Sequence, residues 1–412
     1  MLARLWFRSL QVRGESAHGG ATLWVLNHPG GLLDALVAAS GLEDAPRFLG
    51  KATLWKVPIL RPLLAVFDAI PVHRRTDGDV GPDATARTFA AVHAVFAAGG
   101  SVAIFPEGIS HGFRDLAPLK TGAARMLLSS PCPVRVVPAG LIYGERERFR
   151  HSVLLRVGEP IDFDDLRAEG PTPAAVATLT ARIRAALLPL TLHGPDDDAQ
   201  RMAEQLAWLL AEGPRPREPL EGVHARVQIL ASRLRSADAS LRADIEARIE
   251  TATRALAAAG LRPDQLGFHY STEVVVRWLP GFLGRLALAP LLLPVGLWFW
   301  PAYRITGVVI DRIALDIDVQ GTYKFLLGLV LLPAWLAATL VLAAVVAGGW
   351  GVLAAGLAGL LAFVVLPLAE RTGEDLQAIR GFLRSRDPQL AAFVAEREAL
   401  LTAFPELRTP TA

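Results

Sequence analysis

Residues 325–369 run for 45 positions without a charged side chain, and Gly348-Gly349-Trp350-Gly351 sits at their middle. One bilayer-crossing helix needs about 20 apolar residues, so this run has the length of two such helices joined by a tight glycine-rich turn. A second uncharged stretch, residues 286–303, is 18 long and carries three prolines. It is long enough to span, yet its prolines and aromatic residues equally suit a kinked re-entrant or interfacial helix. Arg277, Arg285, Arg304, Arg312 and Lys324 flank it on both sides. That distribution favours both ends being cytoplasmic, and so re-entrance followed by a hairpin.

The first 275 residues are different, mixing charged and apolar blocks as a water-soluble domain does. Hydrophobic residues make up 52% of the chain, and the excess lies in the C-terminal third. The net charge of +2 gives no sign of a nucleic-acid partner. A single cysteine, Cys132, excludes an internal disulfide framework and any multi-cysteine metal site. Arg4 and Arg8 interrupt the N-terminal apolar residues, so no signal peptide is expected there. Leu2, Leu5, Trp6 and Leu10 share a helical face, which suits a short helix lying on a membrane or packing on its own domain.

Between residues 21 and 158, short apolar runs alternate with helical patterns. The runs 21–26, 47–50, 69–73, 101–105, 134–143 and 152–158 read as strands. The alternation predicts an α/β fold with a mostly parallel sheet flanked by helices, then a helical subdomain and C-terminal membrane helices. The expected parts are an N-terminal interfacial helix (1–20), the α/β domain (21–160), a helical subdomain (161–275), a membrane region (276–370) and a tail (371–412).

In parallel sheets chemistry gathers at the carboxyl ends of strands. His28 and Asp34, in "LNHPGGLLD", follow the first of these strands, and the Pro29-Gly30-Gly31 turn can bring them back within reach of each other. A carboxylate on one imidazole nitrogen fixes the tautomer and suits the ring to general-base work. "FPEGISHG" (105–112) places Glu107 at the same edge of the sheet. Lys51, Arg74, Arg75 and Lys120 stand at strand or helix ends, where guanidinium and ammonium groups could receive a phosphate. No zinc-ligand spacing and no nucleotide-binding loop is present.

The blocks "NHPGGLLD", "FLGKATLW", "AIPVHR", "IFPEGISH", "PLKTGAARM" and "VVPAGL" resemble, in order and spacing, those of the glycerolipid acyltransferase family over about residues 20–160. This family includes the glycerol-3-phosphate and 1-acylglycerol-3-phosphate acyltransferases. The usual pattern has four residues between His and Asp, and here five intervene. The usual "FPEGTR" is "FPEGIS", with Ile109 and Ser110 in place of threonine and arginine. Both departures are similar to the fungal glycerol-3-phosphate/dihydroxyacetone-phosphate subgroup, and the missing arginine leaves Arg74 and Lys120 as the phosphate candidates.

The resemblance implies that His28 deprotonates an acceptor hydroxyl as it attacks an acyl thioester, with Asp34 orienting the imidazole. It also implies substrate contacts from Asn27, Lys51, Arg74, Glu107, Gly108, Ser110 and Lys120, with no metal or resident cofactor. Acyl-CoA or acyl-carrier protein would be co-substrate, and membrane lipids and a glycerol-3-phosphate or lysophospholipid acceptor the partners. The expected location is a bacterial inner membrane, with the catalytic domain on the cytoplasmic face. Two other classes compete. Gly108-Ile109-Ser110-His111-Gly112 matches the G-x-S-x-G form of a serine esterase, though Pro106-Glu107 separate it from the strand. A non-catalytic lipid-handling scaffold would also carry a hydrophobic hairpin, but it would have no need of His28, Asp34 and Glu107 together.

Overall fold

A computed structural model of the chain describes residues 2–16, 19–72, 83–112, 116–144, 149–192, 197–210, 220–261, 272–313, 316–384 and 388–404. Two compact units divide it: Met1–Asp197 with Leu315–Thr322, and Asp198–Ala314 with Tyr323–Ala412.

The first unit contains α1 (Leu2–Trp6), β1 (Ser9–Arg13), β2 (Thr22–Leu26), α2 (Leu32–Gly41), β3 (Arg47–Lys51), α3 (Arg61–Val66) and β4 (Ile70–Val72). It continues with α4 (Ala84–Ala97), β5 (Ser101–Ile104), α5 (Gly122–Leu128), β6 (Arg135–Tyr143), β7 (Ser152–Val157), α6 (Asp164–Arg167) and α7 (Pro173–Leu187). The strands form one sheet in the order β1-β7-β6-β2-β5-β3-β4. All neighbours pair in parallel except β6 and β7, which are antiparallel. β2 is central and its five residues, "TLWVL", are all buried, as expected for a strand covered on both faces. Register places Val25 beside Ile104 of β5 and Leu26 beside Ala139 of β6, so the loops leaving β2 and β5 emerge side by side.

Three expectations change. The helix expected over residues 1–20 is confined to α1, because Ser9–Arg13 pairs with β7 as an edge strand. Trp6 is buried and packs on Phe149, with ring centroids 5.0 Å apart. The α/β unit also reaches past residue 160. Thr172 caps α7 by accepting the Ala175 N–H at 3.2 Å, and Val176, Leu179, Ile183 and Leu187 join the core formed with Val92, Phe96 and Val136. Finally, the expected C-terminal tail contains a helix (Ala391–Ala403) with Phe393 and Leu400 buried.

In the second unit, α8 (Asp197–Leu210), α9 (Leu220–Ser236) and α10 (Ala239–Ala258) precede two long helices, α11 (Thr272–Arg312) and α12 (Ile317–Arg384). The C-terminal helix, α13 (Ala391–Ala403), packs on α10, and Arg248 bonds Glu396 across that contact at 3.0 Å. Among the described residues, Val275–Arg312 and Asp318–Arg380 are long and apolar enough to cross a membrane. Residues 286–303 lie inside α11, which is continuous through Pro290, Pro294 and Pro301 and thus has spanning length. Gly348 (φ 59°, ψ −145°) breaks α12 into two limbs, a conformation that favours glycine. A Cβ on Gly359 would lie 2.8 Å from Leu336, so the limbs pack closely as a hairpin. Large apolar side chains such as Val345, Val346 and Trp350 face outward, an arrangement suited to an apolar solvent. Asp375, fully buried, accepts from Trp278 Nε1 at 2.9 Å and pairs with Arg285, tying α12 to α11.

Leu179→Ala should lower the unfolding stability of the α/β unit by about 2–5 kcal/mol. The exposed Leu241→Ala should change stability by no more than about 0.5 kcal/mol. Thermal unfolding followed by circular dichroism tests both, and equal effects would separate α7 from the core.

Candidate active site

The loop leaving β2 carries His28, and α2 begins four residues later. Gly31 is the N-cap of α2 with φ 61° and ψ −127°, a conformation open to glycine and strained for other residues. That turn brings Asp34, in the first turn of α2, back to the histidine, and His28 Nδ1 lies 2.8 Å from Asp34 Oδ2. Asp34 is fully buried and receives two further donors: the Gly30 N–H on Oδ2 at 2.8 Å and the Tyr143 hydroxyl on Oδ1 at 2.5 Å. With its acceptor sites filled in this way, the buried carboxylate is satisfied. It also holds the Nδ1–H tautomer, which leaves the lone pair on Nε2. The imidazole stacks on Phe105, centroids 4.1 Å apart and planes 10° from parallel, so its tilt is set as well. His28 remains partly exposed, at 19%.

The loop leaving β5 winds around Glu107, which is 2% exposed. Oε1 accepts the His28 N–H at 2.7 Å; Oε2 accepts the Ala117 N–H at 2.7 Å and bonds His111 Nε2. The His111 N–H returns to the His28 carbonyl at 3.3 Å. Burial pushes the Glu107 carboxyl up, but the bond and charge of His111 and the two backbone donors outweigh it. The carboxyl is held below the usual glutamate range.

The expected substrate contacts divide. Glu107 has both oxygens engaged by protein donors and so ties the two loops together. Asn27 is likewise buried, and its side chain exchanges two hydrogen bonds with the Leu141 backbone, at 2.7 and 3.1 Å. It fastens β2 to β6. Ser110 donates its hydroxyl to Asp318 at 2.7 Å, and among the described residues the next helix starts at Gly122, which differs from the strand–serine–helix elbow of an esterase. Gly108 and Lys120 do come together: a Cβ on Gly108 would lie 2.9 Å from Lys120 Cδ and 3.4 Å from Nζ. Lys120 is exposed, and its backbone N–H donates to the Pro106 carbonyl of the loop leaving β5 at 2.8 Å. Lys51 ends β3, the strand next to β5. Arg74 lies outside the described residues. Tyr143, His111 and Phe105 are contributors that their own sequence positions do not announce; the one signal was Tyr143 closing the otherwise apolar strand "VVPAGLIY".

A partly exposed histidine held by a buried aspartate at a strand end, next to a loop that is clamped by a buried glutamate and flanked by a lysine, is an arrangement able to act as a general base. The acyltransferase family model matches residues 9–141, the segment that supplies most of these side chains. This segment is an acyltransferase-family domain. Glycerol-3-phosphate O-acyltransferase 2 of Saccharomyces cerevisiae is 29% identical over 260 residues, covering 57% of this chain and 35% of that protein. Glycerol-3-phosphate O-acyltransferase 1 of the same yeast is 38% identical over 66 residues, 15% of this chain and 9% of the relative. The chain thus spans 35% or less of the length of these curated relatives. Both are yeast proteins, and they give the expected bacterial origin no support. Among solved structures, the 1-acyl-sn-glycerophosphate (LPA) acyltransferase of Thermotoga maritima is similar over 44% of this chain and 75% of its own, at 16% identity and a TM-score of 0.33.

Because the folded Glu107 carboxyl titrates lower than an unfolded one, the stability it contributes to the acyltransferase domain is complete above about pH 4.3. It is lost as the pH falls through the lower folded value. Glu107→Gln should therefore flatten the acid limb of melting temperature against pH, and cost about 1–3 kcal/mol at neutral pH through mismatched buried donors. An acid limb identical to the wild type would remove this role.

Proposed function

We propose that the protein is a membrane-associated O-acyltransferase of glycerolipid synthesis. It moves a fatty acyl group from an acyl thioester, of coenzyme A or acyl-carrier protein, to a hydroxyl of glycerol-3-phosphate or lysophosphatidate. The observation that carries the reading is the bond from His28 Nδ1 to the buried, triply donated Asp34. Among the described residues no hydrogen bond engages Nε2, which is therefore available to take the acceptor's proton. As that proton leaves, the hydroxyl oxygen attacks the thioester carbonyl carbon. The C–S bond then breaks, and the departing thiolate takes the proton from the imidazolium, giving an ester and a thiol. General-base help of this kind contributes roughly 10²–10⁴-fold.

Lys120, exposed beside Gly108, is the described cation best placed for the acceptor phosphate, with Lys51 at the end of the adjoining strand. The two apolar helices support work at a membrane, with the α/β unit on the cytoplasmic face, where soluble thioesters reside. Each buried methylene favours the bilayer by ~0.8 kcal/mol, so a ~16-carbon product retains more than about 10 kcal/mol by staying there. The likeness to glycerol-3-phosphate O-acyltransferases of yeast favours glycerol-3-phosphate as the first acceptor to assay.

Thiol release should be measured with each of three acceptors: glycerol-3-phosphate, lysophosphatidate and a phosphate-free monoacylglycerol. His28→Ala and Asp34→Asn should each reduce turnover by roughly 10²–10⁴-fold, while Ser110→Ala keeps most of it. Loss with Ser110→Ala and retention with His28→Ala would instead establish a serine esterase. Lys120→Ala should raise KM for a phosphate-bearing acceptor by about 10- to 100-fold, the equivalent of one charge-assisted hydrogen bond, and leave the phosphate-free acceptor unaffected. An unchanged KM would take Lys120 out of the site.

A further inference from the structure

The catalytic turn has a weakness that its own residues do not repair. The helix that carries Asp34 starts at Gly31, an N-cap with no side chain to accept the first free N–H groups. Gly30 and Gly31 together leave the backbone with little intrinsic preference for the observed path. The missing partner comes from a residue about 290 positions away in sequence. Thr322 Oγ1 accepts the Leu32 N–H at 3.1 Å and donates to the Gly30 carbonyl at 3.2 Å. One hydroxyl thus caps α2 and bridges the turn. The fit is close: a Cβ on Gly31 would lie 2.9 Å from that hydroxyl and 3.5 Å from the Asp318 carbonyl.

One helical turn earlier, Asp318 is buried and accepts the Ser110 hydroxyl at 2.7 Å. Residues four apart share a helix face, so a single turn touches both loops that enclose His28. Residues 316–322 group with the α/β unit. We propose that Thr322 and Asp318 are positioning residues for acyl transfer. Thr322 sets the start of α2 and hence the place of Asp34 against His28, and Asp318 holds the Ser110 segment of the neighbouring loop. This rests on the acyl-transfer reading above. Both act through hydrogen bonds to the protein, so their loss should act on turnover rather than on substrate affinity.

The test compares Thr322→Val, which keeps the shape and loses the hydroxyl, with Thr322→Ser, which restores it. Thr322→Val should lower kcat by about 10- to 100-fold, the scale of a small misplacement of catalytic groups, with KM for donor and acceptor changed by less than about twofold. Thr322→Ser should recover most of the rate. A kcat for Thr322→Val within about twofold of the wild type, or a Thr322→Ser variant as impaired as Thr322→Val, overturns the proposal for Thr322. Asp318→Ala and Ser110→Ala serve if Thr322→Val does not fold. Each should lower kcat modestly, and the double variant should be no worse than the more impaired single; additive losses overturn the pairing. If the wild-type chain consumes no thioester with any acceptor, the acyl-transfer reading fails. The brace is then read from hydrogen exchange at the Leu32 amide. Faster exchange in Thr322→Val, with protection restored in Thr322→Ser, supports it, and unchanged exchange overturns it.

Discussion

The geometry of the site depends on the buried carboxylate of Glu107. It draws in the backbone N–H of His28 from one loop, the N–H of Ala117 from the far side of its own loop, and the ring of His111. A charge buried without partners would cost several kcal/mol, so the two loops close around it. Parallel pairing of β2 with β5 brings the loop origins together, and Glu107 fixes how they leave the sheet. Asp34 performs the same service for the imidazole, with Tyr143, Gly30 and His28 as its three donors. The two carboxylates hold different parts of one residue: Glu107 its backbone and Asp34 its ring.

This division explains how a glycine-rich turn can hold a histidine against an aspartate. Pro29-Gly30-Gly31 bends sharply enough to return Asp34 to His28, yet glycines add no packing of their own. Rigidity is supplied from outside by Tyr143 at the end of β6, by the stacked Phe105 and by Thr322. His28 itself keeps a partly exposed edge. Lys120 stands beside Gly108 because that glycine leaves its lysine-facing side open.

Much of this was legible in the sequence, for physical reasons that differ by element. Strands buried along most of their length, such as β2, β5 and β6, are continuous apolar runs and are visible as such. β1 is not legible because "SLQVR" is an edge strand with no buried residue, and its alternation is too short to stand out. The end of the α/β unit was misplaced because the helical period of α7 reveals an apolar face but not what covers it. His28 and Asp34 were legible because a turn joins them within six residues. Asn27 and Glu107 are legible as polar residues at the site, but their protein partners are not, since a polar residue at a strand end reads alike whether it meets a substrate or a backbone N–H. Thr322 and Asp318 carried no signal near the site at all, being nearly three hundred residues away.

Acyl transfer to a hydroxyl by the His28–Asp34 pair is the proposal on which the functional reading stands. Its most direct test is to incubate the full chain, in lipid vesicles, with a radiolabelled acyl thioester and glycerol-3-phosphate and to separate the products. Label should appear in a phosphate-bearing acylglycerol, with one thiol released per ester formed, and neither product should form when His28 is replaced by alanine. Label appearing only as free fatty acid, or undiminished transfer by the His28→Ala protein, would contradict it.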